Sequence, residues 1–452
     1  MEGQTSLIRS LKTPQVVFLG LAWMTPMIYF TVYGVAFNAA DGQMTAAYMA
    51  AFIAIFFTAY SYSRMVKAYP ISGSAYIYTE KAIHPKVGFL VGWALIIDYV
   101  FSPIIAILTF GIFMNTEFPS IPIYIWIIVM NIILAIVNIL GIKSAARVSS
   151  ISVLCQIAFI ALFCILTIKD ILVNDGVSSL FSLTPFFNIE NGSISSIFSG
   201  ASLICFCFLG FDAVTTMAEE TIDPQKTIPK AIFYIIFIAA LMYMAISYLT
   251  AIAHPDFTFQ NPDNAAYSLV QLIGGNLLSS LFILVLIIAT FTQGLSSMTS
   301  VSRFFYALGK ESILPKKFFT TLHPKFKTPV ANIIFVAVIS LSAVAINLDT
   351  AVLFVSFGAL TAFVFVNLCV IAQFYIREKR RSAKDTLLYL IFPLIGVAFI
   401  GWLLTLLDKY TLKVGITWIV IGFVYLFIRK KWLQAKTPIA VSQNIEKKKY
   451  VR

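Results

Sequence analysis

Apolar residues in this chain run together instead of alternating with polar ones. They form twelve blocks, mostly of about 18 to 28 residues, at 15–37, 44–65, 87–114, 122–140, 151–168, 194–218, 231–253, 265–302, 330–347, 352–376, 387–407 and 414–428. A helix rises about 1.5 Å per residue, so roughly 20 residues cross the ~30 Å hydrocarbon layer of a bilayer. The pattern therefore predicts twelve membrane-spanning helices. The alternative spanning structure, a barrel, needs strands of about ten residues with apolar and polar positions alternating. A run such as NIILAIVNIL (Asn131 to Leu140) does not alternate. The eighth block is too long for one straight span, so its first turn or two, around Gly274 and Gly275, are expected to leave the hydrocarbon or tilt.

Composition supports a lipid solvent: of 452 residues 60% are hydrophobic and 12% charged, whereas about a quarter of a soluble domain is charged. Arg9 and Lys12 precede the first block, but no small-residue cleavage site follows it, so that block reads as a span and not as a signal peptide. Of the 32 Lys and Arg, all but Lys169, Lys409 and Lys413 fall in the two tails and in alternate loops, counting Arg64 at the very end of its block with the loop beside it. The positive-inside rule then places both termini in the cytoplasm of a multi-pass plasma-membrane protein. This skew also accounts for the net charge of +12 without a nucleic-acid partner, since runs such as Arg377 to Lys384 and Lys447 to Lys449 flank membrane ends. The five cysteines all lie inside blocks, where no extracellular staple forms. His84, His254 and His323 each precede a proline, which favours a turn role over metal binding, and no metal site is expected.

Two blocks break their own pattern. The first carries Thr25-Pro26 at mid-depth, where proline removes a backbone donor and pushes its predecessor out of the helical region. The sixth carries Gly210 at a similar depth, followed by Phe211 and Asp212. Non-helical backbone at membrane depth survives only where protein buries it or water reaches it. Paired breaks five spans apart point to a carrier built from inverted repeats, with substrate held where the breaks face each other. The expected organisation is a cytoplasmic tail (1–14), a five-helix repeat (15–168), an extracellular loop (169–193), a second five-helix repeat (194–376), two peripheral helices (377–428) and a basic tail (429–452).

Two carboxylates lie well inside blocks, Asp98 and Asp212. A charge at the bilayer centre costs about 3 kcal/mol even on the insertion scale, so such residues either mark a pathway or proton site or, hydrogen-bonded, hold helices together. Asp212 is also placed to accept from amides freed by the break. No lysine, arginine or histidine lies well inside a block to pair with them. Buried anions without a fixed cation suit a cationic substrate, a proton, or both. Aromatic residues gather near these points: Tyr29, Tyr33, Tyr99, Phe206, Phe208, Phe211, Phe291 and Phe357. Their rings either hold an amine or pack against lipid and neighbouring helices. A large side chain at Gly210 is expected to fill the space facing the substrate. Gly88 and Gly92 make a GxxxG spacing suited to close helix approach. Nucleotide-binding and hydrolytic motifs are missing from the sequence, so no enzymatic activity and no cofactor are expected.

The segment SLICFCFLGFDAVTTMAEETIDPQKTIPKAI (202–232) resembles the sixth-span signature of the amino acid, polyamine and organocation permeases. Similar matches run along the chain: GLAWMTPMIYF, YPISGSAYIYTEKAIHPKVGFLVGWALIIDYVFSP, SVSRFFYALGKESILP and FGALTAFVFVNL. Within the family IIDY and LGFDAVTT look most like the bacterial putrescine importers. The resemblance implies an all-α leucine-transporter-type fold and secondary active transport. It assigns unwound backbone to Thr25, Pro26 and Met27 and to Phe208, Leu209, Gly210, Phe211 and Asp212, within a site shared by spans 1, 3, 6, 8 and 10. It also matches Glu219 and Glu220 to paired acids at the cytoplasmic end of span 6, where they oppose the helix dipole and call for cationic partners. Many amino acid permeases of the family carry a span 5 lysine suited to proton coupling; here the position is Gln156, which cannot titrate. The expectation is therefore a proton-coupled importer of a small, putrescine-like amine, with Asp98 and Asp212 as proton or ammonium sites. The alternative is an amino acid permease; a channel or sensor is the remaining class.

Overall fold

The computed structural model describes residues 9–174, 176–186, 193–255, 257–259, 262, 265–310, 313–407 and 409–435. Parts of both expected tails and of the 169–193 loop, and the Lys447 to Lys449 run, lie outside the described residues. Among the described residues there is no strand, only an isolated parallel bridge between Leu11 and Thr221.

The first apolar block is split into α1 (Thr13–Met24), α2 (Ile28–Thr31) and α3 (Tyr33–Ala39). Next come α4 (Met44–Ala68), a short α5 (Ser74–Ala82), α6 (Pro85–Glu117), α7 (Ile123–Ile139) and α8 (Ile142–Asn174). The sixth block begins as α9 (Ile194–Ile204) and tightens into 3-10 turns at Cys205–Phe208 and Ala213–Glu220. The rest is α10 (Pro224–Ala253), α11 (Ala265–Lys310), α12 (Lys316–Phe319), α13 (Val330–Ser340), α14 (Leu348–Val370), α15 (Ala383–Thr386), α16 (Phe392–Thr405) and α17 (Lys409–Ala435). Two π-helical turns, Ile371–Arg377 and Leu387–Ile391, extend α14 and lead into α16.

Among the described residues nine helices are long and apolar enough to cross a membrane, and the first block, bent by 68° between Thr13–Thr31 and Tyr33–Ala39, makes a tenth. The shorter apolar helices Ile123–Ile139 and Val330–Val344 occupy the fourth and ninth blocks. Several helices outrun their apolar blocks, because backbone hydrogen bonding continues into polar interfacial residues. Thus α6 starts at Pro85, with the His84 ring accepting from Lys86 N at 3.1 Å, and His323 Nδ1 accepts from Lys325 N at 3.2 Å: both are turn roles. The over-long eighth block is interrupted at Gly275, whose φ of 63° and ψ of −161° are open to glycine alone.

α1 packs on α8, α10 and α11, which places its broken end in the middle of the bundle. The other large contacts pair α4 with α10, α6 with α14, and α11 with α6 and α8. α17 stays at the rim, touching α6 and α14 and exposing Ile416, Val420, Phe423 and Phe427 as a lipid-facing side does. Stacked Trp93 and Trp418, 5.0 Å apart, each donate an indole N–H to the other's carbonyl (3.0 and 2.8 Å) and hold it there. Gly88 and Gly92 serve close approach of α5: a methyl at Gly88 would fall 2.6 Å from Glu80 N, and one at Gly92 3.0 Å from the Tyr76 ring.

Candidate functional site

α1 ends because Pro26 supplies no N–H and disfavours helical angles at Thr25. Thr25 adopts φ 55°, a left-handed value that a β-branched residue takes only under strain. Its amide still donates to Leu21 O (2.8 Å), its hydroxyl donates to Ala22 O (3.1 Å), and Ile28 N donates to Thr25 O (2.8 Å). The break is therefore held by the residue at its corner, with Pro26 and Met27 buried beside it.

In the sixth block Leu209 is extended (ψ 138°) and Gly210 has φ 121°. Asp212 then folds back. Its Oδ1 accepts from Gly210 N at 3.3 Å, and its Oδ2 accepts from Tyr99 Oη at 3.0 Å. Tyr99 Oη also lies 3.1 Å from Ser74 Oγ; having one proton, which goes to the carboxylate, it accepts from the serine. Tyr99 packs edge-on to Trp23 (5.5 Å) and Phe304 (4.9 Å), and Phe211 sits between Tyr62 (5.6 Å) and Phe363 (5.3 Å).

The two breaks face each other directly. A methyl at Gly210 would fall 2.4 Å from Trp23 Cδ1, two residues before Thr25. The space before Gly210 holds the Trp23 ring, so the glycine allows close approach and a positive φ. Gly210→Ala is expected to destabilise the protein by about 3 kcal/mol, from backbone strain and overpacking together. A thermal melt of detergent-solubilised protein checks this; an unchanged melt would show that the break relaxes freely.

Asp98 lies one residue before Tyr99, 2% exposed, where α14 crosses α6: a methyl at Gly358 would fall 2.9 Å from Asp98 Cβ. Among the described residues no hydrogen-bond donor reaches Asp98 Oδ1. A cavity of about 410 Å³ opens next to the breaks, its wall including Thr25, Thr109, Ser202, Phe206, Gln293 and Ser356. Among the described residues no charged side chain lines it. Beneath it a gap of about 10 Å³, room for roughly one water, is bounded by Trp23, Ser102, Phe206, Leu209 and Gln293. Ser102 stands one helical turn from Asp98 and donates to its carbonyl (2.9 Å). Neither Asp98 nor Asp212 lines the cavity or the gap, and both are buried.

The cavity is lined by α2 and α3, after the first break, and by α9, before the second. On the other side of the breaks, where the N-terminal segment lies, the protein is shut. Arg303, 1% exposed, donates Nε to Glu220 Oε2 (2.5 Å) and Nη2 to Glu220 Oε1 (3.2 Å); its Nη1 donates to Thr299 O (3.1 Å). Lys310 Nζ pairs with Glu219 at 2.8 Å. Ser10 N and Leu11 N both donate to Glu220 O (2.8 and 3.0 Å), and Ile222 N donates to Leu11 O (2.9 Å).

Other sequence candidates lie apart from the cavity. Phe208 packs on Tyr243 (5.5 Å), Phe291 is half-buried on α11, and Phe357 fills the space against Gly415 of α17. Tyr29 stacks on Tyr48 (5.4 Å). Gln156 on α8 is fully buried, and among the described residues neither amide atom has a partner. Sequence reasoning missed Trp23, Ser74, Gln293 and Arg303. An aromatic two residues before a proline break was a signal for Trp23. Arg303 directly follows the eighth block, whose helix continues to Lys310. Ser74 and Gln293 had no signal.

The amino acid permease family model matches residues 15–437. This chain belongs to the amino acid permease family. The permease is 35% identical over 96% of its length to the low-affinity putrescine importer PlaP of Escherichia coli (strain K12), covering 96% of that protein. It is 26% identical to the branched-chain amino acid permease BcaP of Bacillus subtilis (strain 168), with 94% of each chain covered. A vacuolar cationic amino acid transporter 4 of Arabidopsis thaliana is 26% identical over 83% of this permease and 65% of its own length.

Proposed function

We propose that this permease is a secondary active importer of a small, putrescine-like amine, coupled to protons and acting by alternating access in the plasma membrane. Residues 15–168 and 194–376 form inverted five-helix repeats, 377–428 add the peripheral pair, and both termini are cytoplasmic. The cavity then faces outward, and the Glu220–Arg303 pair closes the cytoplasmic side. The observation that carries this reading is the pair of carboxylates at the facing breaks: Asp212 is held by Tyr99 and Gly210 N, while Asp98 Oδ1 has no donor among the described residues. An ammonium moving down from the neutral vestibule supplies that missing donor, and a proton does so on the empty return.

The uncharged cavity wall favours a second reading, a neutral amino acid bound through its own paired charges. Uptake into proteoliposomes under an inward proton gradient separates the two. Putrescine should accumulate, collapse with a protonophore, and be poorly displaced by excess leucine or alanine. Accumulation of a neutral amino acid that putrescine does not compete with would replace the amine reading.

A further inference from the structure

On the closed side of the protein, away from the cavity, the two π-helical turns Ile371–Arg377 and Leu387–Ile391 come together beside the end of α4. A π turn is sparsely used in helices and concentrates at functional sites. Phe374 and Tyr389, one from each turn, stack at 4.7 Å. Two guanidinium groups rest on Tyr389: Arg64 from α4, with Cζ 5.6 Å from the ring centroid, and Arg380, at 5.7 Å. Arg64 also stacks on Tyr60 at 4.9 Å.

The two arginines differ in one respect. Arg380 pairs with Glu378 at 2.7 Å. Arg64, half-buried, has no carboxylate within ion-pair distance among the described residues. Aromatic stacking fixes the plane of its fork and leaves its N–H groups without an anion. The connecting segment 377–386 carries Arg377, Lys379, Arg380, Arg381 and Lys384 against the two acids Glu378 and Asp385. From this corner Leu387 and Ile391, at the two ends of the second π turn, and Leu394 on α16 lead away as exposed apolar residues. An anion-seeking fork at the head of an exposed apolar stripe matches a molecule with a phosphate at one end and hydrocarbon at the other.

We propose that this corner binds an anionic phospholipid, its phosphate on Arg64 and Arg380 and an acyl chain along Leu387, Ile391 and Leu394. The planar fork suits a phosphate better than an ammonium does, and each basic contact to an anionic headgroup is worth about fivefold in affinity. Bound there, the lipid ties α4 to the α14–α16 connection. The site is separate from the transport cavity and does not depend on which substrate the permease carries.

The test uses the full-length protein in phosphatidylcholine nanodiscs with and without phosphatidylglycerol, read by native mass spectrometry for retained lipid and by thermal melting. Wild type should retain phosphatidylglycerol and melt higher with it. Arg64→Gln should lower retention about fivefold and abolish the melting shift, whereas Lys316→Gln with Lys317→Gln, on the short α12, should change neither. Arg64→Lys keeps the charge without the fork and should recover less than half of the shift. Should Arg64→Gln fail to fold, Arg380→Gln, at an exposed position, carries the same comparison. Equal retention by wild type and the arginine variants, or equal loss in the α12 control, overturns the proposal. So does protection of the phosphatidylcholine sample by inorganic phosphate as strong as that by phosphatidylglycerol, which would mark a site for a soluble phosphate compound.

Discussion

Asp98→Asn should abolish amine uptake, by at least about a hundredfold, while the empty protein melts at its normal temperature or slightly above it. Both halves follow from the same contact. Asp98 is 2% exposed, and its Oδ1 meets no donor among the described residues, so the carboxylate is poorly compensated until a cation arrives. Asparagine keeps the shape and removes the charge. The bound state loses a water-poor ion pair, and breaking such a pair costs about 3 kcal/mol or more, which is over a hundredfold in affinity. The empty state loses only a carboxylate that no donor among the described residues holds, as when a functional group is traded for stability. Asp212→Asn should behave differently, because Asp212 accepts from both Gly210 N and Tyr99 Oη, and an amide keeps one acceptor oxygen. That variant should lose about 1–2 kcal/mol of stability as well as transport. Initial uptake rates and melts of the two variants, made side by side, are the measurement. Wild-type uptake by Asp98→Asn would remove Asp98 from the substrate path; a large loss of stability would make it a packing carboxylate.

Arg303→Gln should be the most damaging single change on the closed side, at about 3–5 kcal/mol of stability, because it strands the Glu220 carboxylate at 4% side-chain exposure. Adding Glu220→Gln should restore much of the loss, since two neutral amides can hydrogen-bond where one buried charge cannot. The backbone contacts of Ser10 and Leu11 to Glu220 O survive both changes, so the closed side should weaken without coming apart. Thermal melts of the two single variants and the double variant give the coupling. A double variant no better than Arg303→Gln would mean that the arginine acts through its bond to Thr299 O and its packing instead.

Much of the architecture was readable because membrane helices must satisfy their backbone locally and their side chains by solvation in lipid. Both constraints act over a few residues, so block lengths carried the helices. The breaks at Thr25-Pro26 and Gly210 were readable for the same reason: proline lacks a donor, and glycine permits angles that other residues resist. Helix ends were less legible, as α11 shows by running on to Lys310 with a polar but buried last stretch. Composition cannot separate a polar residue at an interface from one sealed between helices, as Arg303 is.

Which distant groups meet was settled by the packing of the helices. Tyr99 and Asp212 are 113 residues apart, and Arg303 and Glu220 are 83 apart, so no local pattern ties either pair together. Likewise Phe357 and Phe291 carried the same aromatic signal as Phe206, yet Phe206 alone of the three lines the cavity, because the direction of a side chain depends on which neighbour each helix face packs against. A bundle of apolar helices with two weak points and two carboxylates near them in the chain was already written in the order of residues. The packing of α1 between α8, α10 and α11, and the crossing of α6 by α14, turned those weak points toward each other and set one carboxylate under Tyr99 while leaving the other without a donor, since long-range contact is fixed by shape and not by spacing along the chain.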